Sequence, residues 1–374
     1  MPQAITQPIP RKAPPATPTR WPAQPGVFDR CPLVIAELGV NHDGSITRAL
    51  EMVDAAARAG ADAVKLQLFR AEGLMSRASR LAGYQKDAGE KDPVAMLARL
   101  ELSEAEMAQV VARAHALGIA AIVTVFSIEL VPVAERLGFD AYKTASPDII
   151  HLPLLQALAA TGKPLIISTG AATLADVHAA IDALAHARDR ITILQCVSSY
   201  PTPDPAAELG GIIALASALG VAIGYSDHTE STRTGATAVG LGARVLEKHF
   251  TYSRDAQGPD HRASLEEPDM AEYITLARAA PVNAAVRQAC APGSTLQIVK
   301  RVLPIEQDVR SVSRQSIVTR NALTMGSKLT RNDLTFKRPG TGLPPAMIEK
   351  ILGQRLTRDV PADTPLQPQD LAHA

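Results

Sequence analysis

From Leu33 onward, short apolar runs rich in β-branched residues alternate with alanine- and leucine-rich stretches whose apolar positions recur at helical spacing. Eight runs carry the strand pattern: Leu33 to Leu38, Ala63 to Phe69, Ala120 to Val125, Ala141 to Ala145, Pro164 to Ser168, Thr192 to Val197, Ala222 to Ser226 and Arg244 to His249. The spacing predicts helices over Ser45 to Ala59, Ser103 to Leu117, Ile128 to Leu137, Leu154 to Ala160, Thr173 to Ala185, Pro205 to Leu219, Ser231 to Leu241 and Glu266 to Ala279. Ser45, Ser103 and Thr173 read as N-caps, and Gly60, Gly118, Gly138, Gly162 and Gly220 as left-handed C-caps. Eight strand-helix repeats predict a closed TIM (β/α)8 barrel. An open doubly wound sheet also alternates in this way, but no G-x-G-x-x-G turn follows the first strand.

The apolar pattern breaks at one end of the strands. Glu37 ends the first, followed by Asn41, His42 and Asp43; Lys65 and Gln67 alternate in the second and so share a face. Thr124, Lys143 with Ser146, and Ser168 close the third to fifth. Gln195, Ser198 and Tyr200 close the sixth, Ser226, Asp227 and His228 the seventh, and Glu247, Lys248 and His249 the eighth. In a TIM barrel these carboxyl ends form the catalytic rim. A strand-end lysine can also snorkel to solvent and a strand-end serine can cap the next helix. Two ammonium groups inside apolar runs need compensation, and an anionic ligand at Lys65 and Lys143 is the simplest. His228 and His249 fall at equivalent ends of neighbouring strands, where two neutral imidazoles can hold a divalent metal and leave positions open. The same histidines could instead bond neighbouring loops. His42 stays open as a ligand, a substrate contact or a turn residue.

Between Pro281 and Val309 the helical pattern fades into a connector with Pro292, Gly293 and Pro304. A β-rich module with short runs at Ser316 to Val318, Lys328 to Leu329 and Arg355 to Val360 follows, with so few apolar residues that it needs a partner surface, which docking on the barrel of a second protomer would provide. At the other end, the prolines from Pro2 to Pro25 predict a flexible arm. The expected division is an arm over 1–30, a barrel over 31–285, a linker over 286–310 and a capping module over 311–374.

Composition narrows the function. Lys+Arg and Asp+Glu both number 38 in 374 residues, a balance that argues against nucleic acid or an anionic membrane as partner. No apolar run has membrane-helix length and no signal peptide is visible. Cys31, Cys196 and Cys290 are too scattered for a disulfide framework, which predicts a cytoplasmic setting.

The strings Ala-Glu-Leu-Gly-Val-Asn-His-Asp-Gly, Ala-Asp-Ala-Val-Lys-Leu-Gln, Tyr-Lys-Thr-Ala-Ser, Ser-Thr-Gly-Ala, Tyr-Pro-Thr-Pro, Gly-Tyr-Ser-Asp-His-Thr, Glu-Lys-His-Phe and Gly-Pro-Asp-His stand in this order along the chain. In order and spacing they resemble the N-acetylneuraminate (sialic acid) synthase family. The tail from Arg314 to Leu371, with Lys-Arg-Pro-Gly-Thr-Gly at 337–342, resembles that family's antifreeze-like, or SAF, domain.

The resemblance implies condensation of phosphoenolpyruvate, water and an open-chain N-acetylhexosamine, N-acetylmannosamine first, to a nine-carbon acid and phosphate. It implies Mn²⁺, with Mg²⁺ or Co²⁺ as substitutes, held by His228 and His249. Lys65, Thr124, Lys143, Ser146, Ser168, Ser198 and Ser226 match phosphoenolpyruvate-contacting positions. Glu37, Gln67, Tyr200 and Asp260 match sugar-contacting positions. Arg338 matches a residue that reaches the N-acetyl group across a domain-swapped homodimer. Glu37 is expected to orient the aldehyde or exchange its proton, and Asp148 to manage the proton of water. The chain departs from the family at Thr-Val-Phe-Ser in the third strand, where Thr-Pro-Phe-Asp is usual. It also has Gln195 in place of histidine and Ser198 where several members carry asparagine. Two rival readings are the same chemistry on another acceptor (legionaminate, pseudaminate or spore-coat type) and a non-catalytic carbohydrate-binding scaffold.

Overall fold

The computed structural model describes residues 32–372, so the proline-rich arm expected over 1–30 lies outside the described residues. Eight parallel strands pair in sequence order and close on themselves: β1 (Leu33–Gly39), β2 (Ala63–Leu68), β3 (Ala120–Val125), β4 (Ala141–Thr144), β5 (Leu165–Ser168), β6 (Ile191–Cys196), β7 (Ala222–Asp227) and β8 (Val245–His249). This is the expected TIM barrel, with each strand end within one residue of its predicted place.

The caps explain why the helices begin where they do. Ser45 accepts from the Arg48 N–H, while Ser103 and Thr173 form reciprocal capping boxes with Glu106 and Asp176. Gly60 closes the first helix at φ 91°, a conformation that costs a residue with a Cβ. The sequence reading placed nothing between Phe69 and Ser103, where three short helices form at Ala71–Leu74, Gly83–Asp87 and Pro93–Leu100. No helix among the described residues is long and apolar enough to cross a membrane.

Strand alternation divides the barrel into an outer and an inner core. Outward residues such as Val34, Leu66, Val123 and Ile193 pack under the helices in the largest apolar cluster. Inward residues at the amino-terminal end, Leu33, Ile35, Ala63, Ala120, Ile122, Ala141, Ile166, Leu194 and Val245, form an apolar plug. One step further along the same inward columns the composition turns polar, with Glu37, Lys65, Thr124, Lys143, Ser168, Ser226 and Glu247 all buried. The plug and the helices thus fix a ring of polar groups at the carboxyl-terminal mouth.

The C-terminal module pairs β9 (Ser316–Thr319) with an antiparallel β10 (Leu334–Lys337), which was not among the predicted runs. Its small core, including Ile317, Phe336, Ile348 and Leu366, also packs Ile128 of the barrel, and Phe336 meets His151 edge-on at 4.5 Å. Within the one chain described, the module packs on its own barrel.

Candidate active site

The polar ring lines a cavity closed by loops and by the C-terminal module. Glu37, Lys65, Gln67, Thr124, Lys143, Ser146, Ser168, Ser198, Tyr200, Ser226, His228, His249, Asp260 and Arg338 all face it. Parallel register explains the convergence: Glu37 lies opposite both Lys65 and His249, Gln67 opposite Thr124, Thr124 opposite Lys143, and Ser226 opposite Glu247.

The two lysines are internally compensated. Lys65 lies 2.8 Å from Glu37 and 3.7 Å from Glu247, and Lys143 lies 3.7 Å from Glu247. Lys65 also donates to Thr124 at 2.9 Å, and Lys143 to Ser168 at 2.5 Å. Burial works against the Lys65 charge, but Glu247 and Glu37 outweigh it and hold its pKa above the ordinary value. Lys143 goes the other way because burial wins. Burial likewise raises the Glu37 pKa despite Lys65. Glu247 is held low: burial opposes its charge, and Lys143 and Lys65 overcome it. Glu247 stands on the rim the sequence marked out but was given no role there, although its alternation with His249 on β8 puts both on one face.

Across the ring stand the imidazoles, their centroids 5.3 Å apart. His228 Nδ1 lies 2.8 Å from the Val197 carbonyl; donating there leaves Nε2 with its lone pair. His249 Nδ1 is buried without a hydrogen-bond partner, 3.8 Å from Asp260 Oδ2. Burial, then His228, drives the His249 pKa well below 6.5, which keeps that ring neutral. At His228 burial opposes the charge, but Cys196 and the Val197 carbonyl outweigh it and raise the pKa above 6.5, so a cation at Nε2 would displace a proton there. With that proton gone, the two unused nitrogens suit a borderline divalent cation that keeps open positions. Among the described residues, no group of three or more His, Cys, Asp or Glu is arranged as a metal site, so further ligands would have to come from solvent or substrate.

The outer wall is different chemistry. Val40, Phe69, Leu74, Met96, Leu97, Leu100 and Phe126 line it, most of them from the segment between β2 and β3. Tyr84, from the same segment, packs on Tyr200 at 4.9 Å, and Tyr200 on His228 at 4.1 Å. Arg338 covers this wall from the module of the same chain, its guanidinium 5.4 Å from the Phe126 ring centre. The loop around it is stitched down: Arg338 N–H donates to Leu74 O at 2.8 Å, and the Ser76 and Ser79 hydroxyls donate to Arg338 O at 2.6 and 2.8 Å. Within one chain, Arg338 faces the cavity of its own barrel.

Asp148 is the one named residue outside the wall. The turn at Ser146–Ile150 carries it behind Pro147, where it is fully buried and accepts from Gln315 Nε2 at 3.0 Å. Burial raises its pKa to about 6, with Arg338 the largest opposing influence. It therefore sits at the contact between barrel and module. His42 also stays out of the cavity: its Nδ1 accepts from Gly44 N–H at 3.1 Å, the turn role among its three alternatives. Of the departures, Gln195 points outward and donates to Glu208 O at 3.1 Å, and Val125 is buried in the outer core, whereas Ser198 faces the cavity with an unpartnered hydroxyl.

This arrangement has relatives. The NeuB family matches residues 52–287 and the SAF domain matches residues 314–372. The N,N'-diacetyllegionaminic acid synthase of Legionella pneumophila is 36% identical over 340 residues, which is 89% of this chain and 92% of that protein. The enzyme of that name from Campylobacter jejuni is 33% identical over 336 residues, 88% and 97% of the two chains. Among solved structures, the spore coat polysaccharide biosynthesis protein spsE of Bacillus subtilis superposes with a TM-score of 0.78 at 30% identity, covering 92% of this chain and 96% of that one. The chain belongs to the NeuB family and is a phosphoenolpyruvate-condensing nonulosonic acid synthase that carries a C-terminal SAF domain.

Proposed function

We propose that the chain condenses phosphoenolpyruvate with a diacetamido hexose to give a legionaminate-type nonulosonate, rather than using N-acetylmannosamine as its first acceptor. Two relatives at 33% and 36% identity are named for a product with two N-acetyl groups. The three carbons of enolpyruvate bring no nitrogen, so both groups come from the acceptor. The observation that supports the reading is the apolar outer wall, where Phe69, Leu74, Met96, Leu97 and Phe126 offer no hydrogen-bonding group to a sugar hydroxyl. Methyl-bearing acetamido groups suit that wall, with Arg338 above it to meet an amide carbonyl.

The roles of the residues follow from their places. Lys65, Lys143, Thr124, Ser146, Ser168, Ser198 and Ser226 hold the enol phosphate and its carboxylate by charge-assisted bonds. Gln67, Tyr200 and Asp260 orient the sugar chain. A divalent cation, Mn²⁺ first, held by His228 and His249 would supply Lewis-acid polarisation of the aldehyde oxygen. C3 of the enol bonds to the aldehyde carbon, water adds at C2, and the resulting tetrahedral centre expels phosphate with cleavage of its C–O bond. Glu37, with its raised pKa, exchanges the proton of the nascent hydroxyl. Asp148 is reassigned from the water proton to holding Gln315 and Arg338 in place. The functional units of this reading are a barrel over 31–285, a linker over 286–310 and a cap over 311–374.

The test is phosphate release with Mn²⁺, phosphoenolpyruvate and a panel of monoacetamido and diacetamido hexoses, with product masses read by mass spectrometry. Turnover highest with a diacetamido acceptor supports the proposal. Preference for N-acetylmannosamine returns the acceptor to the first expectation, and no release with any acceptor sinks the reading.

A further inference from the structure

The connector between barrel and cap does more than span a distance. Glu306 on it is fully buried, and one of its oxygens accepts from two backbone N–H groups of the barrel, Ala171 at 2.6 Å and Ser198 at 2.8 Å. Its other oxygen accepts from Leu303 N–H at 2.8 Å within the connector. The carbonyl of the same Ala171 is gripped by Arg310 and, at 3.3 Å, by Arg314; both arginines also pair with Asp176. Connector residues therefore hold Ala171 by both ends of its backbone.

Ala171 is in the left-handed region, φ 51°, where its Cβ is crowded against its own carbonyl. Such a conformation persists only where the surroundings hold it. Its consequence lies one residue back: the Gly170 N–H points at Ser146 Oγ, 3.0 Å away. The backbone there is so close to the wall that a Cβ on Gly170 would stand 2.1 Å from Ser198 Oγ and 2.9 Å from Ser146 Oγ. Ser146, Ser168 and Ser198 all face the cavity, and Ser198 is itself held by Glu306.

We propose that Glu306 is a positioning residue for the enol-phosphate half of the cavity: by fixing the strained turn at Ala171 and the backbone of Ser198, it couples seating of the connector to affinity for phosphoenolpyruvate. The inference rests on the reading of this cavity as a phosphoenolpyruvate site. It predicts a split of effects, with Glu306 acting on the phosphate end and Arg338 on the sugar end.

The experiment uses the full chain with saturating acceptor and varied phosphoenolpyruvate. Glu306→Ala should raise KM for phosphoenolpyruvate about tenfold, the scale of a small misplacement of binding groups, with a much smaller change in kcat. Two rescues separate positioning from general damage. Added formate should lower the raised KM, because the vacated pair of N–H groups is a cradle for a small carboxylate. Glu306→Ala/Ala171→Gly should also recover much of the loss, because glycine adopts the left-handed turn without being held there. A KM for Glu306→Ala within about twofold of the unsubstituted chain, or failure of both rescues, overturns the inference. If Glu306→Ala does not fold, Glu306→Gln carries the test: a neutral acceptor for the same donors should raise KM about threefold, and an unchanged KM overturns it. If the unsubstituted chain releases no phosphate, the proposed reaction fails, and calorimetric binding of phosphoenolpyruvate to the same variants decides this inference. A chain that does not bind phosphoenolpyruvate sinks both.

Discussion

Lys248 Nζ lies 3.2 Å from Asp227 Oδ1, and neither side chain has any exposure to solvent. The two residues are register partners on β8 and β7, each immediately preceding a cavity histidine, and their side chains point away from the cavity toward Tyr273. Lys248 also donates to Thr229 O, while Asp227 accepts from the Thr229 N–H at 2.9 Å, so the pair fixes the backbone of the residue that follows His228. Removing one partner strands a buried charge. Lys248→Met should cost about 3–5 kcal/mol in urea unfolding, and Asp227→Asn/Lys248→Met should recover most of it. A single substitution that costs less than about 1 kcal/mol would show the pair to be dispensable.

The histidine pair makes a prediction about the ion. Chelation by EDTA should abolish turnover and Mn²⁺ should restore it. His228→Ala should lower metal-supported turnover by about two orders of magnitude or more and weaken Mn²⁺ binding in titration calorimetry, with the circular dichroism spectrum unchanged. Unaltered turnover would remove His228 and His249 as the metal site.

Asp148 gives a pH dependence whose sign is fixed. Its folded pKa of about 6 lies above the ordinary 3.8, so the folded state binds the proton more tightly than the unfolded chain. That contribution to stability is fully present below the unfolded pKa and is lost as pH rises through the folded one. Between about pH 4 and pH 7.5, the native chain should lose most of ~3 kcal/mol relative to Asp148→Asn. Denaturation curves at the two pH values test this, and a constant gap between the two proteins would refute it.

Gly170→Ala tests the closeness of the phosphate-end wall. The added Cβ would meet Ser198 Oγ, Ser146 Oγ and Cys196 Sγ at 2.1, 2.9 and 3.0 Å. The expected result is a loss of at least about tenfold in kcat/KM for phosphoenolpyruvate, with a smaller change in the acceptor KM. Equal loss for both substrates would point to disruption beyond that wall.

The sequence made the barrel legible because parallel strands buried on both faces leave uninterrupted apolar runs, and the polar ring legible because it interrupts them. Fourteen of the fifteen residues expected at the site converge on one cavity; Asp148 does not, since a strand-end position says nothing of which way the following turn is aimed. Tyr84 was missed because it comes from a segment with neither strand period nor long helix. Glu306 was missed because a buried carboxylate whose partners are backbone N–H groups leaves no complementary residue in the sequence. The internal pairing of Lys65 with Glu37 is a third case: both residues were visible, but their closeness depends on how β1 and β2 register.

That pairing shapes how ligands must arrive. With Lys65 and Lys143 already balanced by Glu37 and Glu247, the pocket proposed for the enol phosphate has no surplus positive charge from these four groups. That ligand's several negative charges favour a counter-cation entering alongside it. Thermodynamic reciprocity then requires each to tighten the other's hold, so anion and cation should titrate into the protein together, as the two halves of one salt.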